Sequence, residues 1–156
     1  METFRQDLFE EFIGESLSFC QDNESKSDKG VLRGLHYQIE PQAQSKLVRV
    51  IKGSVLDVVI DIRKNSKNFG RHITIPLNEI NKYQLFIPKG FAHGYITLLD
   101  ETIFAYKVDA LYNKECERGI IYNDPQLNID WQEMGMDLII SEKDLQQPLF
   151  SQAEIF

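Results

Sequence analysis

The stretch Lys46-Leu47-Val48-Arg49-Val50-Ile51-Lys52-Gly53-Ser54-Val55-Leu56-Asp57-Val58-Val59-Ile60-Asp61-Ile62 decides the fold class. Two runs rich in β-branched residues flank a Lys-Gly turn candidate, which reads as two strands joined in a hairpin. With a two-residue period, Leu56, Val58, Ile60 and Ile62 share one face of the second arm, and Val55, Asp57, Val59 and Asp61 share the other. One face is purely apolar; the other mixes acids with valines, as in a strand lining a polar cavity or facing solvent.

Further strands are expected over 72–77, 83–87, 94–99 and 103–108, separated by short connections containing Asn, Gly, Pro or Asp. Many short strands at this spacing predict an all-β sandwich or barrel. Upstream, Phe4, Leu8, Phe9 and Phe12 are spaced for one face of a short helix ending at Gly14. The polar run Gln21-Asp22-Asn23-Glu24-Ser25-Lys26-Ser27-Asp28-Lys29-Gly30 reads as a loop, with the body of the domain starting after it.

At 156 residues, 42% of them hydrophobic, the chain has the size and composition of one globular domain. Its 17 basic and 24 acidic residues give a net charge of −7 with no basic stripe, which argues against nucleic acid as a partner. A small anionic ligand stays open, because the field in a pocket depends on the cations that point into it. Met1-Glu2-Thr3-Phe4-Arg5 does not resemble a signal peptide, and no apolar run is long enough for a membrane helix, so a cytoplasmic protein is expected. Cys20 and Cys116, without metal-site spacing, are expected as free thiols.

The three histidines can be weighed one at a time for acid-base work. In Val31-Leu32-Arg33-Gly34-Leu35-His36-Tyr37-Gln38, an extended chain puts Leu32, Gly34, His36 and Gln38 on one side, with Gly34 leaving room beside the imidazole for a ligand. His93, between Gly90 and Gly94, could be presented to a cavity by a turn. His72, next to Arg71, reads as a sheet-edge residue. No HxH pair, Cys-His cluster, nucleophile elbow, phosphate loop or dinucleotide fingerprint is present, which disfavours metal, hydride and phosphoryl chemistry.

Gly30-Val31-Leu32-Arg33-Gly34-Leu35-His36-Tyr37-Gln38 resembles the signature of the dTDP-4-dehydrorhamnose 3,5-epimerase family. The resemblance continues through Gln44-Ser45-Lys46-Leu47-Val48-Arg49, Asp57–Arg63, Ile87–Gly94, Tyr106-Lys107, Asn123-Asp124-Pro125 and Ser141-Glu142-Lys143-Asp144, in order over nearly the whole chain. It implies a cupin-type jelly-roll homodimer that uses no cofactor or metal. The implied reaction takes dTDP-4-dehydro-6-deoxy-D-glucose to dTDP-4-dehydro-L-rhamnose, in dTDP-L-rhamnose biosynthesis for polysaccharides such as O-antigen.

By resemblance, His36 is the proton-abstracting base, Asp144 the carboxylate that orients it, Tyr106 the acid on the opposite face and Lys46 the cation beside the ketone. Arg33, His93, Lys143, Gln21, Asp22 and Asn23 fall on ligand-contact positions, as do Glu2 and Glu117, and Tyr112 falls on the position that stacks on thymine. The assignment makes chemical sense, since a histidine with a reference pKa of about 6.5 accepts a proton at neutral pH whereas a tyrosine at about 10 can donate one. Read without the resemblance, Tyr106 and Tyr112 are core or rim aromatics and Lys46 a solvated strand residue.

Two departures stand out. Residues 1–156 read as a single epimerase domain without the two dozen or so residues that the family places ahead of Met1, among them an arginine that approaches the substrate. Glu24 stands where the family has His after Gln-Asp-Asn, exchanging a potential cation for an anion near the ligand. Two alternatives remain: an epimerase acting at C3 alone or on another 4-keto sugar nucleotide, and a sugar-nucleotide binder without catalysis.

Overall fold

The computed structural model describes residues 1–132 and 135–156. Its strands are β1 (Gln21–Ser27), β2 (Val31–Gln38), β3 (Lys46–Lys52), β4 (Ser54–Asp61), β5 (His72–Asn78), β6 (Gln84–Ile87), β7 (Phe91–Thr97), β8 (Thr102–Val108), β9 (Glu117–Gly119) and β10 (Ile139–Ile140). Among the described residues the α-helices are short, α1 (Gln6–Ile13) and α2 (Glu142–Leu145), with one 3-10 turn at Phe150–Gln152. One sheet runs β1-β8-β3-β6 and the other β10-β2-β7-β4-β5, with β9 also on β2. All pairings are antiparallel except the short parallel bridge from β10 to β2. This is the two-sheet architecture of a jelly roll.

The expected strands from 72 to 108 are all present. The hairpin is not: β3 pairs with β6 and β8, whereas β4 pairs with β5 and β7. Gly53 is therefore a corner where the chain leaves one sheet for the other. It has a φ of +84°, and a Cβ there would collide with Thr102. The expected loop at 21–30 is corrected as well. Residues 21–27 form an edge strand whose backbone pairs with β8 throughout, and only Asp28 to Gly30 turn. Its side chains are polar because Asp22, Glu24 and Lys26 face solvent and Asn23 and Ser25 face the space between the sheets.

Two apolar cores result. Val48, Val50, Val55, Val59, Leu77, Ile87, Tyr95 and Phe104 meet between the sheets. On the outer face of the larger sheet, Leu32, Leu35, Tyr37, Leu56, Val58, Ile60, Ile62 and Ile96 are covered by the C-terminal segment through Ile120, Leu127, Trp131 and Phe150. Asp57 has no exposed surface, so the mixed face of β4 looks inward and the solvent reading of it is excluded.

Helix α1 stops at Gly14 as expected, but its apolar face is only partly used: Phe9 packs on Phe4, Phe19 and Phe86, whereas Leu8 and Phe12 are exposed. His72 lies on edge strand β5. Cys20 is an exposed and Cys116 a buried free thiol.

Candidate active site

Strand β2 does not alternate regularly. Its pairing with β7 shifts register between Arg33 and His36, a bulge that changes the parity of the strand. Leu32, Leu35 and Tyr37 accordingly all join the outer core, while Arg33 and His36 both reach the inner cavity. The expected role of Gly34 changes with it. A Cβ at this position, where φ is +123°, would stand 2.5 Å from the Gly94 Cα and 2.9 Å from the His93 carbonyl oxygen. Gly34 is small so that β2 and β7 can approach each other, not to make room for a ligand.

The cavity, about 650 Å³, opens between the sheets. His36 and His93 are direct cross-strand partners on β2 and β7, so both imidazoles project into it. Each is tied to a buried carboxylate. His36 Nε2 lies 2.5 Å from Asp144 Oδ1, and His93 Nε2 lies 2.9 Å from Asp57 Oδ2. Asp144 is fixed in turn, because its backbone N–H donates to the Ser141 hydroxyl at the start of α2. Burial pushes the Asp144 carboxyl up, but the hydrogen bonds and charge of His36 outweigh it and hold the group below the usual carboxylate range.

From the facing sheet, β3 supplies Lys46 and β8 supplies Tyr106. Burial drives the Lys46 ammonium down to a pKa of about 8, against the opposing pull of Asp57 and Glu117. Burial raises Tyr106, partly offset by Arg33, and so keeps its phenol protonated. A side lobe of about 250 Å³ shares His36, Lys46, Tyr106 and Asn23 with the main cavity and adds Gln21, Tyr112 and Glu117. Glu117 accepts from the Tyr112 hydroxyl at 2.8 Å and from Lys143 Nζ at 2.5 Å, which ties the rim of the lobe to α2.

Residues 1–152 match the family model described as dTDP-4-dehydrorhamnose 3,5-epimerase. The chain belongs to the dTDP-4-dehydrorhamnose 3,5-epimerase family. It is 50% identical over 156 residues to the dTDP-4-dehydrorhamnose 3,5-epimerase of Shigella flexneri, covering 100% of this chain and 85% of that one. A crystal structure of the 3,5-epimerase of Legionella pneumophila, in complex with dTDP-4-keto-L-rhamnose, superposes with a TM-score of 0.92 at 47% identity, covering 97% of this chain and 79% of that one. A 3'-monoepimerase from Streptomyces bikiniensis in complex with dTDP-quinovose superposes with a TM-score of 0.90 at 29% identity, covering 96% and 75%.

In this epimerase the fold gathers His36, Lys46, Tyr106, Asp144, Arg33, His93, Asn23 and Lys143 around the main cavity, and Gln21, Tyr112 and Glu117 around the side lobe. Two residues expected from the resemblance lie elsewhere. Asp22 points outward from β1, with its carboxylate 2.8 Å from Lys107 Nζ. Glu2 lines a separate groove beside α1. The reason is parity for Asp22, whose neighbours Gln21 and Asn23 take the inward positions, and position ahead of α1 for Glu2. Glu24 is exposed at the cavity edge.

Sequence reasoning missed Asp57, Tyr95, Phe104 and Ser141 as parts of the site. Asp57 had a signal, an acid in the middle of a valine-rich strand. Ser141, three residues before Asp144, had the spacing of a helix cap.

Proposed function

We propose that this chain epimerises C3 and C5 of dTDP-4-dehydro-6-deoxy-D-glucose, giving dTDP-4-dehydro-L-rhamnose, with His36 as base, Tyr106 as acid and Lys46 at the ketone oxygen. The observation that carries the reading is the 2.5 Å pair between His36 and Asp144 in the same cavity as Lys46 and Tyr106. A carboxylate this close takes the Nε2–H of a neutral imidazole and leaves the Nδ1 lone pair as the base. Asp144 stabilises the imidazolium that forms once His36 has taken the proton α to the ketone.

Removing that proton turns the ketone into an enolate, and the negative charge collects on the C4 oxygen. An ammonium with a pKa of about 8 is largely charged at neutral pH, and Lys46 can donate to this oxygen. One such donor supplies about 3 kcal/mol, and a positioned acid or base about 10² to 10⁴-fold. Inversion then requires a proton from the other face. Tyr106 reaches the cavity from the sheet opposite His36, which suits that role. The same enolate oxygen serves both carbons, so one cation supports both half-reactions.

Arg33 and Lys143 line the cavity and are assigned the diphosphate, Arg33 through its planar fork. Tyr112, at the rim of the side lobe, offers a face for the thymine. The reading includes a homodimer working in the cytoplasm; the free thiols suit a reducing compartment. A pure binder has no use for a base held by a buried carboxylate opposite a phenol.

The test is incubation with dTDP-4-keto-6-deoxyglucose in deuterated water, with NMR of the C3 and C5 protons beside a His36→Asn control. Loss of both signals only with the unmodified enzyme is expected. Loss at C3 alone would replace the reading with the narrower epimerase, and equal exchange by His36→Asn would remove His36 as the base.

A further inference from the structure

Asp57 is fully buried in the middle of β4, among Val55, Val59, Tyr95 and Phe104 of the inner core. A carboxylate is a costly occupant of such a place unless its charge is compensated. Only one of its two oxygens is engaged: Oδ2 meets His93 Nε2 at 2.9 Å, and Oδ1 has no hydrogen-bond partner. Anchoring one histidine takes a single acceptor, which an asparagine would supply without a charge. The charge itself therefore needs an explanation.

The groups around it identify one. Asp57 is approached by His93 and Tyr95 from β7 and by Lys46 from β3, while Phe104 of β8 is uncharged. Lys46 in turn is surrounded by His36 from β2, His93 from β7, Tyr106 from β8, Asp57 from β4 and Glu117 from β9. Glu117 is already paired with Lys143 and Tyr112, and the nearby Asp109 with Lys89 and the Ser45 N–H. Among the described residues, Asp57 is the anion around Lys46 with an oxygen still unengaged.

We propose that Asp57 is a positioning residue for the reaction, a buried carboxylate that holds Lys46 charged and His93 oriented at the ketone end of the cavity. The proposal rests on the assignment of Lys46 to the ketone oxygen. It gives the buried charge, whose Oδ1 has no hydrogen-bond partner, a use: its field reaches a cation that must stay free to meet the substrate. The sign follows from the geometry. Burial already favours the neutral amine of Lys46, and Asp57 opposes it; without Asp57 the amine loses its proton at lower pH.

The experiment measures the reactivity of Lys46 toward an acylating reagent as a function of pH, read by mass spectrometry, in the unmodified enzyme and in Asp57→Asn. Half-maximal reactivity near pH 8 is expected in the former. It should move down by about one pH unit or more in the variant. The alkaline limb of kcat/KM for proton exchange should move the same way, with a loss at pH 8 on the order of tenfold. A uniform loss at every pH, with both midpoints unmoved, would mean that Asp57 only supports the fold and would overturn the proposal.

If the unmodified enzyme exchanges no protons, the reaction assignment fails, while the reactivity of Lys46 still reports its coupling to Asp57. If Asp57→Asn does not fold, Lys46→Met carries the reciprocal test. Loss of the cation should move the ¹³C carboxyl titration of Asp57 to higher pH, and an unmoved titration would overturn the proposal.

Discussion

Tyr106 lies across the ladder from Asn23 on one side and Val48 on the other, so its ring is carried between the sheets by two neighbouring strands at once. Its phenol is raised by burial and stays protonated through neutral pH, the state a proton donor requires. His36 has no share in that support, since Asp144 holds it from α2. The two roles should therefore separate under mutation. In Tyr106→Phe, His36 still abstracts and deuterium still enters the substrate, while epimeric product falls by about 10² to 10⁴-fold. The ratio of product to solvent deuterium, followed by NMR, checks this; an equal fall in both would show that Tyr106 is not the donor on the far face.

The bulge in β2 and the close approach of Gly34 to Gly94 bring Arg33 and His36 to one side of the sheet. Gly34→Ala would place a methyl group against the backbone of β7, in a φ region that costs a side chain strain. The expected loss is roughly 3 kcal/mol of stability, measurable as a fall in the urea midpoint. A loss below about 1 kcal/mol would mean that the strands separate easily and that the bulge is held by something else.

The same elements show what could be read from the chain. The strands from 46 to 108 were legible because their periodicity is local. Their partners were not: nothing between Lys52 and Ser54 says that β3 and β4 belong to different sheets. Strand β1 was missed because Gln21 to Ser27 carries no apolar residue, its strand character coming from the backbone of β8. In the site, Lys46, His36 and Tyr106 come from three separate strands, and 108 positions separate His36 from Asp144. No spacing rule joins them, and only the resemblance linked them before the fold did. Regular alternation gives Gly34 the wrong neighbours because the strand bulges between Arg33 and His36.

For the whole molecule, the deciding feature is that one strand serves both cores. Leu56, Val58 and Ile60 of β4 pack under the C-terminal segment, and Val55 and Val59 of the same strand pack between the sheets. The cover cannot leave without exposing the outer face of the sheet whose inner face bears His93 and Asp57, and His36 on β2 depends on Asp144 in that same C-terminal region. We infer a single cooperative unit. Trp131 is buried in the outer core, its Nε1–H donating to the Tyr122 carbonyl at 2.8 Å, and so reports on the cover alone. Its fluorescence should be lost on heating or in urea at the same midpoint as the far-UV circular dichroism of the sheets and the exchange activity. A fluorescence transition that precedes the other two would mean that the C-terminal cover unfolds as a separate part; the pairing of His36 with Asp144 would then be lost before the strands that carry His36 and Tyr106.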